Sequence, residues 1–222
     1  MIKAVIFDMD GTLFDTERVY HVSWLAARDA LGLPHDRFDA ALKACTGRNF
    51  ADACVLFDEV LGDLITFERF VEVRRPFYDA EIERRGGLPK KPGLHEIFDY
   101  LKGNGYKIAL ATSTRREKVS EHLGEAGIAD VFDVIVSGDM VENGKPDPEV
   151  YLKAAAMLGL EPEECMGVED SFVGVRSIHG AGMFTVMVPD MHEPTPEIEA
   201  LLDAKCATLL DIIPLLEKEN KR

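Results

Sequence analysis

The chain has 222 residues, 46% hydrophobic and 29% charged, with a formal net charge of −15 and a sequence pI near 4.8. That length suits one large domain or a domain carrying an inserted lobe. The acidic balance argues against nucleic acid or an anionic membrane as a partner, because both are held through clustered Lys and Arg, and it admits a small anionic substrate only where positive charge is local.

The first apolar run, Ala4–Phe7, leads straight into Asp8, Asp10, Gly11 and Thr12. It is too short for a signal segment or a membrane span, so cytoplasmic residence is the expectation, with a monomer as the default state. Two acids at the end of a buried strand are costly unless a cation, donors or a proton compensates them. Two positions apart in an extended chain, Asp8 and Asp10 face the same way unless the turn at Gly11 intervenes.

From Thr16 to Gly87 strand signals nearly vanish. Helical patterns cover Glu17–Leu31, stopped by Gly32, then Asp36–Cys45, Phe50–Leu61 and Phe67–Arg85, the last closed by Gly86-Gly87. The spacing predicts an all-α four-helix lobe over 16–87, inserted into a core made of 1–15 and 88–222. His21 and Trp24, three apart on its first helix, read as helix packing or as a pair turned toward a substrate. Gly47 and Arg48 sit in a loop of this lobe, where a guanidinium suits a second anionic or hydroxyl-rich group of a ligand.

Beyond the lobe, apolar runs at Lys107–Ala111, Val134–Val136, Cys165–Val168 and Phe184–Val188 alternate with helical stretches. This is the pattern of an α/β fold, a parallel sheet covered on both faces, whose loops converge at the carboxyl ends of the strands. The second strand ends at Thr112, whose hydroxyl is free to donate to an anion beside a helix N-terminus. Thr114 and Glu117 match a capping box, which assigns Thr114 to structure. In the loop after the third strand, the turn Asn143-Gly144 and the restriction imposed by Pro146 hold Lys145 extended, while Asp147 caps a helix with Pro148 in its first position. The fourth strand ends in Glu169-Asp170, and Asp170 or Ser171 serves as the N-cap of the helix that follows.

Asp8, Asp10, Glu169 and Asp170 together suit a hard cation such as Mg²⁺ rather than zinc. A phosphate dianion ~4 Å from one carboxylate is repelled by roughly 8 kcal/mol at an effective dielectric of about 20, and Mg²⁺ with Lys145 supplies enough positive charge to reverse that sign. Asp8 can then attack phosphorus to give an aspartyl phosphate, and Asp10 can protonate the leaving alcohol and later take a proton from water. Cys45, Cys54, Cys165 and Cys206 lack metal or redox spacing and read as reduced, buried thiols. The basic pairs Arg74-Arg75, Arg84-Arg85, Lys90-Lys91 and Arg115-Arg116 read as solvated faces.

In order and spacing, the stations Asp8-x-Asp10-Gly11-Thr12, Thr112, Lys145 and Glu169-Asp170 resemble the haloacid dehalogenase-like superfamily, in its phosphatase and phosphomutase branch with a helical cap. The resemblance implies a Rossmann-like core and Mg²⁺ held by Asp8, the backbone carbonyl of Asp10 and Asp170, with Glu169 nearby. It also implies a phosphate steadied by Thr112, Ser113 and Lys145. The second acid, Asp10, sets the chain apart from the dehalogenases. Thr46 stands where the mutase-type cap loop carries a lysine, and Tyr20 stands at the offset of the mutase histidine, with His21 one later. These departures favour a hydrolase of a small phosphorylated metabolite, such as a sugar phosphate. A β-phosphoglucomutase-type sugar phosphomutase and a noncatalytic phosphate- or partner-binding module are the alternatives.

Overall fold

The computed structural model describes residues 1–46, 48 and 50–221. Strand β1 (Ala4–Phe7) is followed by four helices, α1 (Thr16–Leu31), α2 (His35–Cys45), α3 (Phe50–Leu61) and α4 (Phe67–Arg84). Helices and strands then alternate through α5 (Leu94–Gly103), β2 (Lys107–Ala111), α6 (Arg116–Ala126), β3 (Val134–Val136) and α7 (Glu149–Leu158). The order is completed by β4 (Cys165–Glu169), α8 (Phe172–Gly180), β5 (Phe184–Met187), α9 (Pro196–Glu199), β6 (Ala204–Lys205) and α10 (Ile212–Glu219).

The strands pair in parallel in the order β3-β2-β1-β4-β5-β6. This is the doubly wound, Rossmann-like α/β class that the alternation predicts. A parallel sheet must be covered on both faces, and Ala4, Val5, Ile6 and Phe7 of β1 are all fully buried. On one face Ile6, Ala109, Ala111 and Val136 pack with Tyr151, Ala154 and Ala155 of α7 and with Ile178 of α8. The chain winds outward from β1 through β2 to β3, then crosses to β4 on the other side. Where the winding reverses, the carboxyl ends of β1 and β4 flank a crevice, the usual ligand position in such sheets. The sixth strand was not expected; two residues are too few to give a periodicity.

Two compact units are formed, Met1–Asp15 with Lys90–Arg222, and Thr16–Pro89. The return to the first unit falls at Lys90, two residues beyond the boundary read from Gly86-Gly87. Phe14 and Lys90 form an antiparallel bridge and the Lys91 N–H donates to the Leu13 carbonyl at 2.9 Å, which ties this stretch to the loop after β1.

The helical unit is organised by aromatic rings. Trp24 lies 4.8 Å from Phe70 between ring centroids and within 6.0 Å of Phe38, Phe57 and Phe67. Trp24 is therefore a packing residue, whereas His21 is exposed. Three thiols, Cys45, Cys165 and Cys206, are buried and raised by that burial to about 11; Cys54 is half-buried, and none of the four is in a disulfide. Buried thiols with raised pKa are inert packing groups.

Two of the basic pairs are not simply solvated. Arg74 stacks over Tyr20 at 4.7 Å and Tyr78 at 5.5 Å from the ring centroids, and burial pushes its pKa below the ordinary value. Lys91 pairs with the buried carboxylate of Asp190 at 2.7 Å. Spacing reports neither, because Tyr20 and Asp190 are distant in sequence; Tyr78 lies one turn along the same helix as Arg74.

Near the end of α4, Glu81 accepts three hydrogen bonds of 2.7 Å from Arg84 and Arg85, which hold its carboxyl at about 2 against an ordinary 4.5. A depressed folded value means that this contribution is present above the unfolded pKa and is lost as pH falls through the folded one. Thermal melts from pH 6 to pH 2 should therefore show a steeper loss for the wild-type chain than for Glu81→Gln. Identical slopes would show that the pairing carries no stability.

Candidate active site

The loop after β1 presents the first acids. The Asp8 N–H donates to the Val168 carbonyl at 2.9 Å, so the β1–β4 pairing continues one step and delivers Asp8 to the crevice. Gly11 then turns at φ +88°, a conformation that L side chains rarely adopt. A Cβ on Gly11 would lie 2.2 Å from Asp170 Oδ2, and the Thr12 hydroxyl donates to Asp170 Oδ1 at 2.9 Å. The Gly-Thr pair of the first loop thus seats the acid of the fourth.

Lys145 is buried, and its ammonium donates to Asp8 Oδ1 at 2.6 Å, Glu169 Oε1 at 2.7 Å and the Ala111 carbonyl at 3.1 Å. Its three donors are thereby used. The ammonium also lies 5.0 Å from the ring centre of the buried Tyr151. Burial alone would lower the Lys145 pKa, but the charges of Asp8 and Glu169 outweigh it and raise the pKa well above the usual value.

Glu169 is braced from both sides. Oε1 also accepts from the Tyr151 hydroxyl at 3.4 Å, while Oε2 accepts the Asp170 N–H, the Ser171 N–H and the Ser171 hydroxyl between 2.9 and 3.0 Å. Five donors more than fill the roughly four acceptor sites of a carboxylate. Gly174 makes room for it, since a Cβ there would meet Glu169 Oε1 at 1.8 Å. Ser171, not Asp170, is the N-cap of α8, accepting the Gly174 N–H at 3.1 Å.

Carboxylate oxygens of Asp8, Glu169 and Asp170 lie within 4.8 Å of one another. The Asp10 side chain points elsewhere: its Oδ2 accepts from the Thr114 hydroxyl at 2.6 Å, and its buried Oδ1 has no hydrogen-bond partner among the described residues. Burial pushes the Asp8 carboxyl well above its usual range; Lys145 opposes this, and Glu169 and Asp10 add to it. Three gathered carboxyl groups beside one ammonium leave the cluster short of positive charge, and an all-oxygen donor set of this kind fits Mg²⁺.

Thr112 is buried at the end of β2, with its oxygen accepting the Thr114 N–H at 3.1 Å and its proton free to donate; Ser113 beside it is half-buried. The capping role expected of Thr114 is overturned. Helix α6 begins one residue later with Arg115 as a cap lacking a side-chain bond, and the Arg116 N–H is met at 2.9 Å by Asp139 from another loop. Asp147 does accept the Glu149 N–H at 2.9 Å at the start of α7. His21 and Arg48 are exposed residues of the helical unit, and Gly47 lies outside the described residues.

Sequence reasoning missed Thr114, Tyr151 and His122. Tyr151 resembles any core aromatic of an amphipathic helix. His122, on α6, packs edge-on against Phe14 at 6.1 Å, and burial holds its pKa below the ordinary value against the pull of the Asp10 charge.

Residues 2–182 match the haloacid dehalogenase-like hydrolase family. The chain belongs to that family. A phosphorylated carbohydrates phosphatase of Thermotoga maritima is 33% identical over 183 residues, 82% of each chain. A β-phosphoglucomutase of Bacillus subtilis is 32% identical over 190 residues, 84% of this chain and 83% of the relative. The crystal structure of a Clostridium difficile β-phosphoglucomutase superposes with a TM-score of 0.75 at 26% identity, covering 100% of this chain and 98% of that one. Among the described residues no helix is long and apolar enough to cross a membrane.

Removing one partner of a buried ion pair typically costs about 3–5 kcal/mol, because the remaining charge loses its counter-ion. Lys145→Met leaves Asp8 and Glu169 in that state. Urea unfolding at pH 7 in chelator should register a loss of about that size, and an unchanged midpoint would show that the ammonium does not hold the site together.

Proposed function

We propose that this hydrolase is a Mg²⁺-dependent phosphoric monoester phosphatase acting on a small phosphorylated metabolite, with sugar phosphates as the favoured class, through an aspartyl phosphate. The observation that carries this reading is the hold on Asp8. Lys145 donates to its Oδ1 at 2.6 Å, and the acid end of β4 lies beside the same carboxylate. A nucleophile fixed in this way has already lost the rotational freedom that an attack in line with the leaving group would otherwise cost.

Asp8, Asp170 and the Asp10 backbone carbonyl would hold Mg²⁺, which when bound offsets charge on the phosphoryl oxygens. Glu169, filled by protein donors, acts by orienting Lys145 and the start of α8. The Asp8 carboxylate attacks phosphorus and forms a P–O bond while the ester P–O bond breaks, and Asp10 gives its proton to the departing alkoxide. Water then attacks the aspartyl phosphate as Asp10 takes its proton, the Asp8–phosphorus bond breaks, and inorganic phosphate leaves. Lys145 steadies the phosphoryl oxygens through its charge, and the Thr112 hydroxyl and Ser113 do so through hydrogen bonds. Residues 16–89 are assigned substrate selection, with His21 and Gly47-Arg48 as the groups that read the substrate.

The relatives named as a phosphatase and a β-phosphoglucomutase support two fates for the proposed aspartyl phosphate, transfer to water or transfer to a hydroxyl of a bound sugar monophosphate to give a bisphosphate. Tyr20 and Thr46, at the mutase histidine and lysine offsets, favour water.

A panel of sugar phosphates with Mg²⁺ should release inorganic phosphate, and chelation should stop it. Asp8→Asn and Asp10→Asn should each lower kcat by about 10²-fold or more, the usual worth of a nucleophile or a general acid–base group. Conversion of β-glucose 1-phosphate to glucose 6-phosphate, primed by a bisphosphate without phosphate release, would establish the mutase instead. Unimpaired turnover by Asp8→Asn would end the covalent reading.

A further inference from the structure

Thr114 has the sequence of a helix cap and the position of something else. Its hydroxyl oxygen lies 2.6 Å from Asp10 Oδ2, within the short range of hydroxyl-to-carboxylate bonds. The backbone that carries it is clamped on both sides. Its N–H donates to Thr112 Oγ1 at 3.1 Å and its carbonyl accepts the Gly138 N–H at 2.9 Å. Gly138 presses so closely on this turn that a Cβ would stand 2.1 Å from the Ser113 carbonyl oxygen. A hydroxyl on so confined a turn sets where the Asp10 carboxylate can rest. Capping does not explain it, because the first N–H of α6 is satisfied by Asp139.

The two oxygens of Asp10 are consequently unequal. Oδ2 faces a donor and must offer it a lone pair, whereas the buried Oδ1 has no partner among the described residues. We infer that Thr114 is a positioning residue that holds Asp10 by Oδ2 and so makes Oδ1 the oxygen that gives and takes the proton. The inference rests on the acid–base reading of Asp10 above and extends it to a residue outside the phosphate contacts. Because the Thr114 N–H is bound to Thr112, the same turn links the phosphate-facing hydroxyl to the acid–base group.

The test compares Thr114→Val, which keeps the shape without the hydroxyl, with Thr114→Ser, which keeps the hydroxyl, using p-nitrophenyl phosphate with Mg²⁺. Loss of orientation at a general acid–base group should lower kcat of Thr114→Val by about 10-fold or more, with KM within about 3-fold, and Thr114→Ser should recover kcat to within about 3-fold of wild type. In an Asp10→Asn background Thr114→Val should cause no further loss, since it acts through Asp10. A wild-type kcat in Thr114→Val, an effect on KM alone, a serine variant as slow as the valine one, or an equal loss in the Asp10→Asn background would each overturn the inference. Should Thr114→Val fail to fold, Thr114→Ala carries the same comparison. Full activity in Asp10→Asn would instead bring down the acid–base reading, while an inactive Asp10→Asn beside a fully active Thr114→Val would bring down the positioning role alone.

Discussion

The ammonium of Lys145 is the tie on which the rest of the crevice depends. It reaches Asp8 just beyond β1, the Ala111 carbonyl at the end of β2 and Glu169 at the end of β4. Three neighbouring strand ends, far apart in sequence, are thus referred to one positive charge. Buried pairs of this kind seldom add net stability over an apolar core, since desolvation offsets most of the attraction. Their contribution here is to fix geometry, with Glu169 saturated by donors and Gly11 and Gly174 giving space to the acids behind them.

The same cluster is left acidic. Burial and neighbouring acids raise the Asp8 carboxyl despite the adjacent lysine. A chain selected for stability alone would replace such groups, so the uncompensated charge belongs with the proposed chemistry rather than with the fold. In that reading the cluster would receive its missing positive charge from the cation, which would also offset the negative charge of the phosphoryl group, and the pre-set orientation of Asp8 and Asp10 is retained through both halves of the reaction.

Much of the architecture was legible in the sequence because it is written in local periodicity. The five longer strands and the four inserted helices lie where apolar runs and glycine stops put them, and the stations Asp8, Asp10, Thr112, Lys145 and Glu169-Asp170 all fall in loops or strand ends on one side of the sheet. What escaped is nonlocal. Thr114 satisfied a capping pattern, but Asp139, twenty-five residues further along the chain, reached the helix start first. Arg74 looked like surface until Tyr20 of another helix stacked against it, and Lys91 until Asp190 met it. In each case the deciding partner is supplied by tertiary packing, which a spacing rule does not contain.

The antiparallel bridge between Phe14 and Lys90 means that the chain leaves the sheet-bearing unit and rejoins it at adjacent points. To the sheet, the whole helical insertion is then equivalent to the tip of a hairpin. The closure entropy of such a tip rises only slowly with the length spliced into it, and a prefolded insert with neighbouring ends adds less still. Modules of other lengths and compositions can therefore be accommodated at this seam while the strand register stays intact, so that, on the proposed reading of the insertion, substrate choice can diversify as a cassette while the sheet and its acidic crevice are inherited unchanged.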